Sequence, residues 1–106
     1  MSVYVDTERN RFGRMVMSHM WADTAAELHE MAATLGLKRK WYQTPDGPHG
    51  CRASFPHYDV SQSVRAKALE RGAIELARRE AVDSRRSIRA HMIDDTEFAM
   101  SWRYAA

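Results

Sequence analysis

Residues 14–36 read RMVMSHMWADTAAELHEMAATLG, and a change of period inside this stretch decides the fold. Up to Ala22 the chain alternates. Met15, Met17, His19 and Trp21 fall on one side and Val16, Ser18, Met20 and Ala22 on the other, the two-residue repeat of a strand. At Thr24 the pattern changes. Thr24-Ala25-Ala26-Glu27 has the form of a capping box, in which the threonine oxygen accepts from the Glu27 amide and the glutamate reaches back to the Thr24 amide. Leu28, Met31, Ala32 and Leu35 then recur at the spacing of one buried helical stripe, and Gly36 supplies a left-handed terminus. A strand that runs directly into an amphipathic helix calls for a sheet with helices packed on it.

The flanking residues extend this scheme. Upstream, Val3 and Val5 alternate around Tyr4 and give a first strand that ends at Asp6-Thr7, followed by a polar loop from Glu8 to Gly13. Downstream, Lys38 to Gln43, with Trp41 and Tyr42, reads as a short strand entering a loop from Thr44 to Pro56. All three prolines fall in that loop, which is long for so small a domain, and loops of this length tend to carry function. Asp59-Val60-Ser61-Gln62 offers a second capping box, with Asp59 as N-cap of a helix that turns Val64, Ala68 and Leu69 inward and stops at Gly72. Ala73 to Ala77 reads as a short strand with Ile74 and Leu76 on one face, and Asp83 or Ser84 caps a third helix through Arg89 or beyond. The expectation is a single α+β domain, a mixed sheet of three to five strands with about three helices. A core domain spans residues 1–89, and residues 90–106 form an extension packed on the body or used for assembly, including a homodimer.

Composition bounds the function. A chain of 106 residues has room for one core, and 44% hydrophobic with 28% charged residues is an ordinary globular balance. No apolar run approaches the roughly 20 residues of a membrane span. The opening residues Met1 to Asp6 are already strand-like, with no signal or transit peptide, so a cytoplasmic protein without membrane contact is expected. Cys51 is the single cysteine and excludes an internal disulfide. The net charge of +2 hides an uneven distribution: Arg65 to Arg89 holds 8 basic against 4 acidic side chains, a segment that can attract phosphates or simply form a solvated helix face. Glycine loops of the Walker or dinucleotide type are absent, and no organic cofactor is expected.

Chemistry concentrates in Phe55-Pro56-His57-Tyr58-Asp59-Val60. On an extended backbone His57 and Asp59 point to one side and Tyr58 to the other. Set before a helix carrying Arg65, they suggest an anion site in which His57 donates, Arg65 clamps and Asp59 orders the helix end, with Tyr58 and Trp41 as further ligand contacts. The ligand expected is a phosphate-bearing or other anionic small molecule such as a nucleotide. The competing reading makes Asp59 a helix cap, His57 a hydrogen-bonded wall residue and Arg65 a surface charge. As an enzyme, the chain would use His57 or His19 as general base, with Asp59 or Asp23 as orienting carboxylate, in phosphoester hydrolysis. Asp6, at a strand end, stands where sheet-based sites gather polar groups. His49, Cys51, His57 and Asp59 hold metal-ligand atoms, but without the paired spacing of a zinc motif. Trp41-Tyr42 with the basic segment 65–89 would be the nucleic-acid feature, against which aromatic residues in a strand usually belong to the core.

In their order and spacing these residues resemble a domain-of-unknown-function family of short bacterial and bacteriophage proteins, catalogued as 4031. The resemblance runs from Val3 to about Arg89. It is carried by Val3-Tyr4-Val5-Asp6, Ser18-His19, Asp23-Thr24, Leu28-His29, Leu35-Gly36-Leu37, Trp41-Tyr42-Gln43, His57-Tyr58-Asp59-Val60, Arg65, Ala68, Gly72-Ala73 and Asp83-Ser84-Arg85. It brings no established activity. Its association with phages adds a further expectation, an accessory protein that binds and inhibits a host defence factor through the loop 44–56 and residues 90–106.

Overall fold

The computed structural model describes residues 2–44 and 54–92, with side chains as far as Ile88. In chain order the elements are β1 (Val3–Asp6), β2 (Asn10–Phe12), β3 (Met15–Ala22), α1 (Ala25–Thr34), β4 (Tyr58–Ser61), α2 (Gln62–Glu70), β5 (Ile74–Leu76) and α3 (Arg78–Met92). The protein is α+β, with a mixed five-stranded sheet and three helices among the described residues. Strand β3 organises the sheet. Antiparallel β1 pairs with its second half, β2 with its first, and β4 with Met17 to Met20. Because β4 shares Met17 with β2 and Met20 with β1, β1 and β2 must lie along one edge of β3 and β4 along the other. Parallel β5 completes the sheet beside β1.

The alternation within β3 sorts two cores. Met20 and Ala22 join Val3, Val5, Tyr58 and Val60 beneath Leu28 and Ala32 of α1 and Ala68 of α2. Trp21 faces the other way, against Phe55 and against Ala81 and Ile88 of α3. Thr24 caps α1 by accepting from the Glu27 amide at 3.2 Å, while its hydroxyl donates to the Glu27 carboxylate at 3.0 Å. Both α1 and α2 close in Schellman turns, Leu37 N–H to Ala32 O at 2.9 Å and Ala73 N–H to Ala68 O at 3.0 Å, with Gly36 and Gly72 at φ 78° and 99°. No helix among the described residues is long and apolar enough to cross a membrane.

Four local expectations are corrected. Residues 10–12, expected in a polar loop, form β2, because a tight turn at Gly13-Arg14 folds them back on β3. Lys38 to Gln43 is a 3-10 turn over Arg39–Trp41 with one bridge, Gln43 to His57, since only Gln43 reaches a partner backbone. Asp59 is not a helix cap. It is held in β4 opposite His19, and Ser61 caps α2 instead by accepting from the Val64 amide at 3.3 Å. Helix α3 starts at Arg78, ahead of the expected caps Asp83 and Ser84, and reaches Met92. Its early start lets Ala81, Ser84, Arg85 and Ile88 share one face toward Trp21.

His29 of α1 supplies a pH handle on stability. Its Nδ1 lies 2.8 Å from the Tyr58 hydroxyl and its ring meets Tyr42 edge-on. Burial, reinforced by the charge of Arg39, pushes its pKa down from 6.5 to about 4. Between those values the unfolded chain binds the proton that the folded chain refuses, so stability falls as pH drops from 6.5 toward 4. Urea unfolding should show this decline, and His29→Gln should flatten it; an equally steep decline in the variant would count against His29 as its source.

Candidate functional site

Asp6 ends β1 with its side chain on the α3 face, at 1% exposure. A carboxylate buried this far requires hydrogen-bond donors, and three surround it. The His19 amide donates to Oδ1 at 3.0 Å, the His19 ring Nδ1 lies 2.7 Å from Oδ2, and Arg85 of α3 forms an ion pair with Oδ2. Burial alone would raise its pKa; the bond from the His19 side chain, then those with Glu8 and the His19 backbone, outweigh that and hold it at about 2. Glu8 closes the group, 3.0 Å from Arg85 Nη2 and 3.1 Å from His19 Nδ1. The Arg85 guanidinium also lies 4.8 Å from the ring centres of both Trp21 and Phe55. It thus meets aromatic faces and carboxylates together.

His19 turns its other nitrogen toward Asp59, its cross-strand partner on β4. Its Nε2 is 3.9 Å from Asp59 Oδ1, and His57 Nε2 is 3.4 Å from the same oxygen. The two imidazoles meet edge-on with centres 5.0 Å apart. His57 is fixed by the Phe55 carbonyl, 2.9 Å from Nδ1, and by stacking on the Phe55 ring. Gln43 donates to Asp59 Oδ2 at 2.7 Å. The Nδ1 of each imidazole and the Oδ2 of Asp59 therefore each have a defined partner. Asp59 is the accessible corner of the group, its side chain 35% exposed against 7% for His57.

The partners determine the tautomers. Both Nδ1 atoms face oxygens that only accept, a carboxylate for His19 and a carbonyl for His57, so both must carry hydrogen. In neutral rings each Nε2 then holds a lone pair, and both lone pairs converge on the Asp59 carboxylate. Acceptors at such distances need a cation among them, either a proton on an imidazole or a metal ion. Burial lowers the pKa of His19, but the bond and charge of Asp6 outweigh it and the net shift is upward. Asp59 is shifted downward, first by its bond with His57, against burial, with help from Gln43. His19, His57 and Asp59 present ligand atoms all within 4.8 Å of one another. Asp6, Glu8 and His19 form a second such group, but its centre is already filled by the Nδ1–H of His19 and by Arg85.

Of the residues singled out in the sequence, the structure brings His19, His57 and Asp59 together. Arg65 stands apart: α2 packs on the opposite face, and Arg65 bonds the Asp6 carbonyl at 2.9 Å and pairs with Glu75. Asp23 does not hold the His19 ring. It accepts from the Ser2 amide and the Tyr4 hydroxyl, because its place after β3 directs it to the start of β1. Tyr58 is buried on the α1 side and bonded to His29. Trp41 is exposed beneath Lys38. His49 and Cys51 lie outside the described residues, as do nearly all of the loop 44–56 and of the segment 90–106. Glu8, Gln43 and Arg85 were not read as site residues, although Gln43 and Arg85 stand in stretches that carry the family resemblance. A shallow cleft of about 290 Å³ lies elsewhere, between Val3, Arg71 and α1.

Residues 3–88 match the family described as protein of unknown function, DUF4031, and the chain belongs to that family. Nothing among curated proteins or solved structures matches it.

Asp6 is the member of this group whose removal is most telling. Asp6→Asn should lower the His19 pKa, read by NMR titration of the imidazole protons, whereas Asp23→Asn should leave it in place. In urea unfolding Asp6→Asn should cost roughly 2–4 kcal/mol, somewhat under the usual figure for breaking a buried ion pair because Glu8 still faces both partners. A His19 titration that is unmoved in Asp6→Asn would show that another group sets it.

Proposed function

We propose that this protein holds a divalent transition-metal ion between His19 Nε2, His57 Nε2 and Asp59 Oδ1, and that the ion binds a phosphate-bearing or other anionic small ligand in its open positions. The observation that carries this reading is the convergence of two Nε2 lone pairs on one carboxylate, with both Nδ1 atoms tied by acceptors. Metal-binding histidines are ordinarily held in this way, the second nitrogen donating to a carboxylate or carbonyl. Asp6 serves His19, the Phe55 carbonyl serves His57 and Gln43 steadies Asp59.

Distances and donor types agree with this reading. Metal–ligand bonds of about 2.0–2.1 Å in a tetrahedral site place ligand atoms roughly 3.3 Å apart, against 3.4 Å for His57 to Asp59 and 3.9 Å for His19 to Asp59. Closing the second gap takes a shift of about half an ångström. Two imidazoles and a carboxylate suit zinc, iron, manganese or nickel better than magnesium or calcium, which prefer all-oxygen sites. Three protein ligands leave positions for water or ligand, as catalytic rather than structural sites do.

An anionic ligand would then enter on the ion rather than through Arg65, whose Nε and Nη2 are engaged. Water on such an ion is acidified and can attack a phosphoester, so hydrolysis is the reaction to look for. In Co²⁺ titrations followed by visible absorption, the protein should bind one ion per chain. His19→Ala, His57→Ala and Asp59→Ala should each weaken binding by at least about 100-fold, more than loss of an outer partner usually does. Arg65→Gln should change it less than about twofold. Nucleoside monophosphates should bind only the loaded protein, and mass spectrometry should report whether they are cleaved. Equal Co²⁺ affinity in the wild type and the three alanine variants, all folded by circular dichroism, would falsify the assignment.

A further inference from the structure

We infer that the β2–β3 hairpin is a binding arm for single-stranded nucleic acid, with phosphates held by Arg9, Arg11 and Arg14 and a base stacked on Phe12. The inference is independent of the metal ion. It begins with charge. Arg9, Arg11 and Arg14 occur within six positions, all are exposed, and among the described residues none has an ion pair or side-chain hydrogen bond. Glu8, the adjacent acid, is occupied by Arg85 and His19. Of the arginines of α2 and α3, Arg65 is neutralised by Glu75 and Arg85 by Asp6 and Glu8, while Arg78, Arg79 and Arg86 are exposed along α3.

Hydrophobic exposure is the second observation. Phe12 is 77% exposed and Met15, its cross-strand partner, 49%, the two most exposed large apolar side chains among the described residues. The turn at Gly13-Arg14 has a positive φ at the glycine alone, as a type II′ hairpin requires, so Phe12 and Met15 are held side by side on one face. That face is the one that carries His19 two repeats along β3. Among the described residues strand β2 pairs only with β3, and none of them pairs with its outer edge. Protecting such an edge from aggregation accounts for arginines. It does not account for a phenylalanine presented among them. In β2 Arg11 projects from the face opposite Phe12, while Arg9 precedes the strand and Arg14 lies in the turn. An exposed aromatic ring with unpaired guanidinium groups nearby in the same hairpin is what binders of single strands use, because every base has a face to stack and every nucleotide a phosphate to pair. Of the segments that suggested nucleic acid in the sequence, Tyr42 is buried and Arg65 and Arg85 are paired, while Trp41 is exposed with Lys38 over its ring.

The test is fluorescence anisotropy with fluorescein-labelled dT12 and U12, in EDTA so that no metal ion contributes. Both should bind at low salt, and affinity should fall with salt at about 0.7 logarithmic units per phosphate contact. The triple variant Arg9→Gln, Arg11→Gln, Arg14→Gln should lose about two units of that slope, and Phe12→Ala should weaken binding roughly 5- to 100-fold. All of these side chains are exposed, so folding should survive, as circular dichroism can check. Absence of binding at 20 mM salt, or binding and salt slope unchanged in both variants, overturns the proposal. So does Phe12-dependent binding to anionic lipid vesicles without binding to either oligonucleotide.

Discussion

The buried carboxylate of Asp6 is the constraint on which the arrangement depends. A charge at 1% exposure is tolerable only when donors come to it, and those donors arrive from β3 and α3. The His19 amide and ring bring β3 into place on one side, and Arg85 brings α3 over the sheet on the other. Arg65 of α2 takes the Asp6 carbonyl from the opposite face. One residue thus ties together the end of β1, the middle strand and two of the three helices. A hydrophobic residue at the same place would satisfy packing but would leave Glu8, which is exposed, as the remaining acceptor for the Nδ1 of His19.

Holding that ring matters because the orientation of His19 decides what its far nitrogen does. With Nδ1 bound to Asp6, Nε2 is presented across the strand pair to Asp59, and His57 meets the same oxygen from the end of β4. The anion site expected from the sequence relied on His57 as a donor and Arg65 as a clamp beside a helix end. Once Arg65 is placed on the other face and Asp59 in a strand, the acids outnumber the free cations around His57. The same imidazoles are then better suited to hold a cation, and an anion follows only as a ligand of that cation.

How far this was legible in the sequence depends on period. β3 and α1 were readable because their patterns are pure: strict alternation in one, an apolar stripe between a capping box and Gly36 in the other. α3 was misplaced because the face toward Trp21 carries Ser84 and Arg85 between Ala81 and Ile88, a helical stripe that is half polar. Asp59 was assigned to a cap because Asp and Ser are both good N-cap residues, and only the pairing of His19 with Asp59 decides which of the two the helix uses. The partner of His19 was sought at Asp23, close in sequence, whereas the sheet supplies Asp6 from 13 positions away. Long-range pairing in an antiparallel sheet is what a local reading does not see.

The sheet face shared by these residues joins the separate observations. On β3 the odd-numbered residues run from Met15 at the exposed tip through Met17 to His19 at the histidine pair and Trp21 under α3. At about 3.4 Å per residue, Met15 and His19 are roughly 14 Å apart along one strand, with Phe12 beside the first and Asp59 beside the second. Helix α3 covers only the Trp21 end, where its ridge of Ala81, Ser84, Arg85 and Ile88 excludes solvent. Among the described residues the other end, toward the tip, carries the exposed Phe12 and Met15. With α3 on this face the sheet is thus divided into a covered half that keeps Asp6 and Arg85 fixed and a more exposed half that starts at the hairpin tip and meets the half-buried His19.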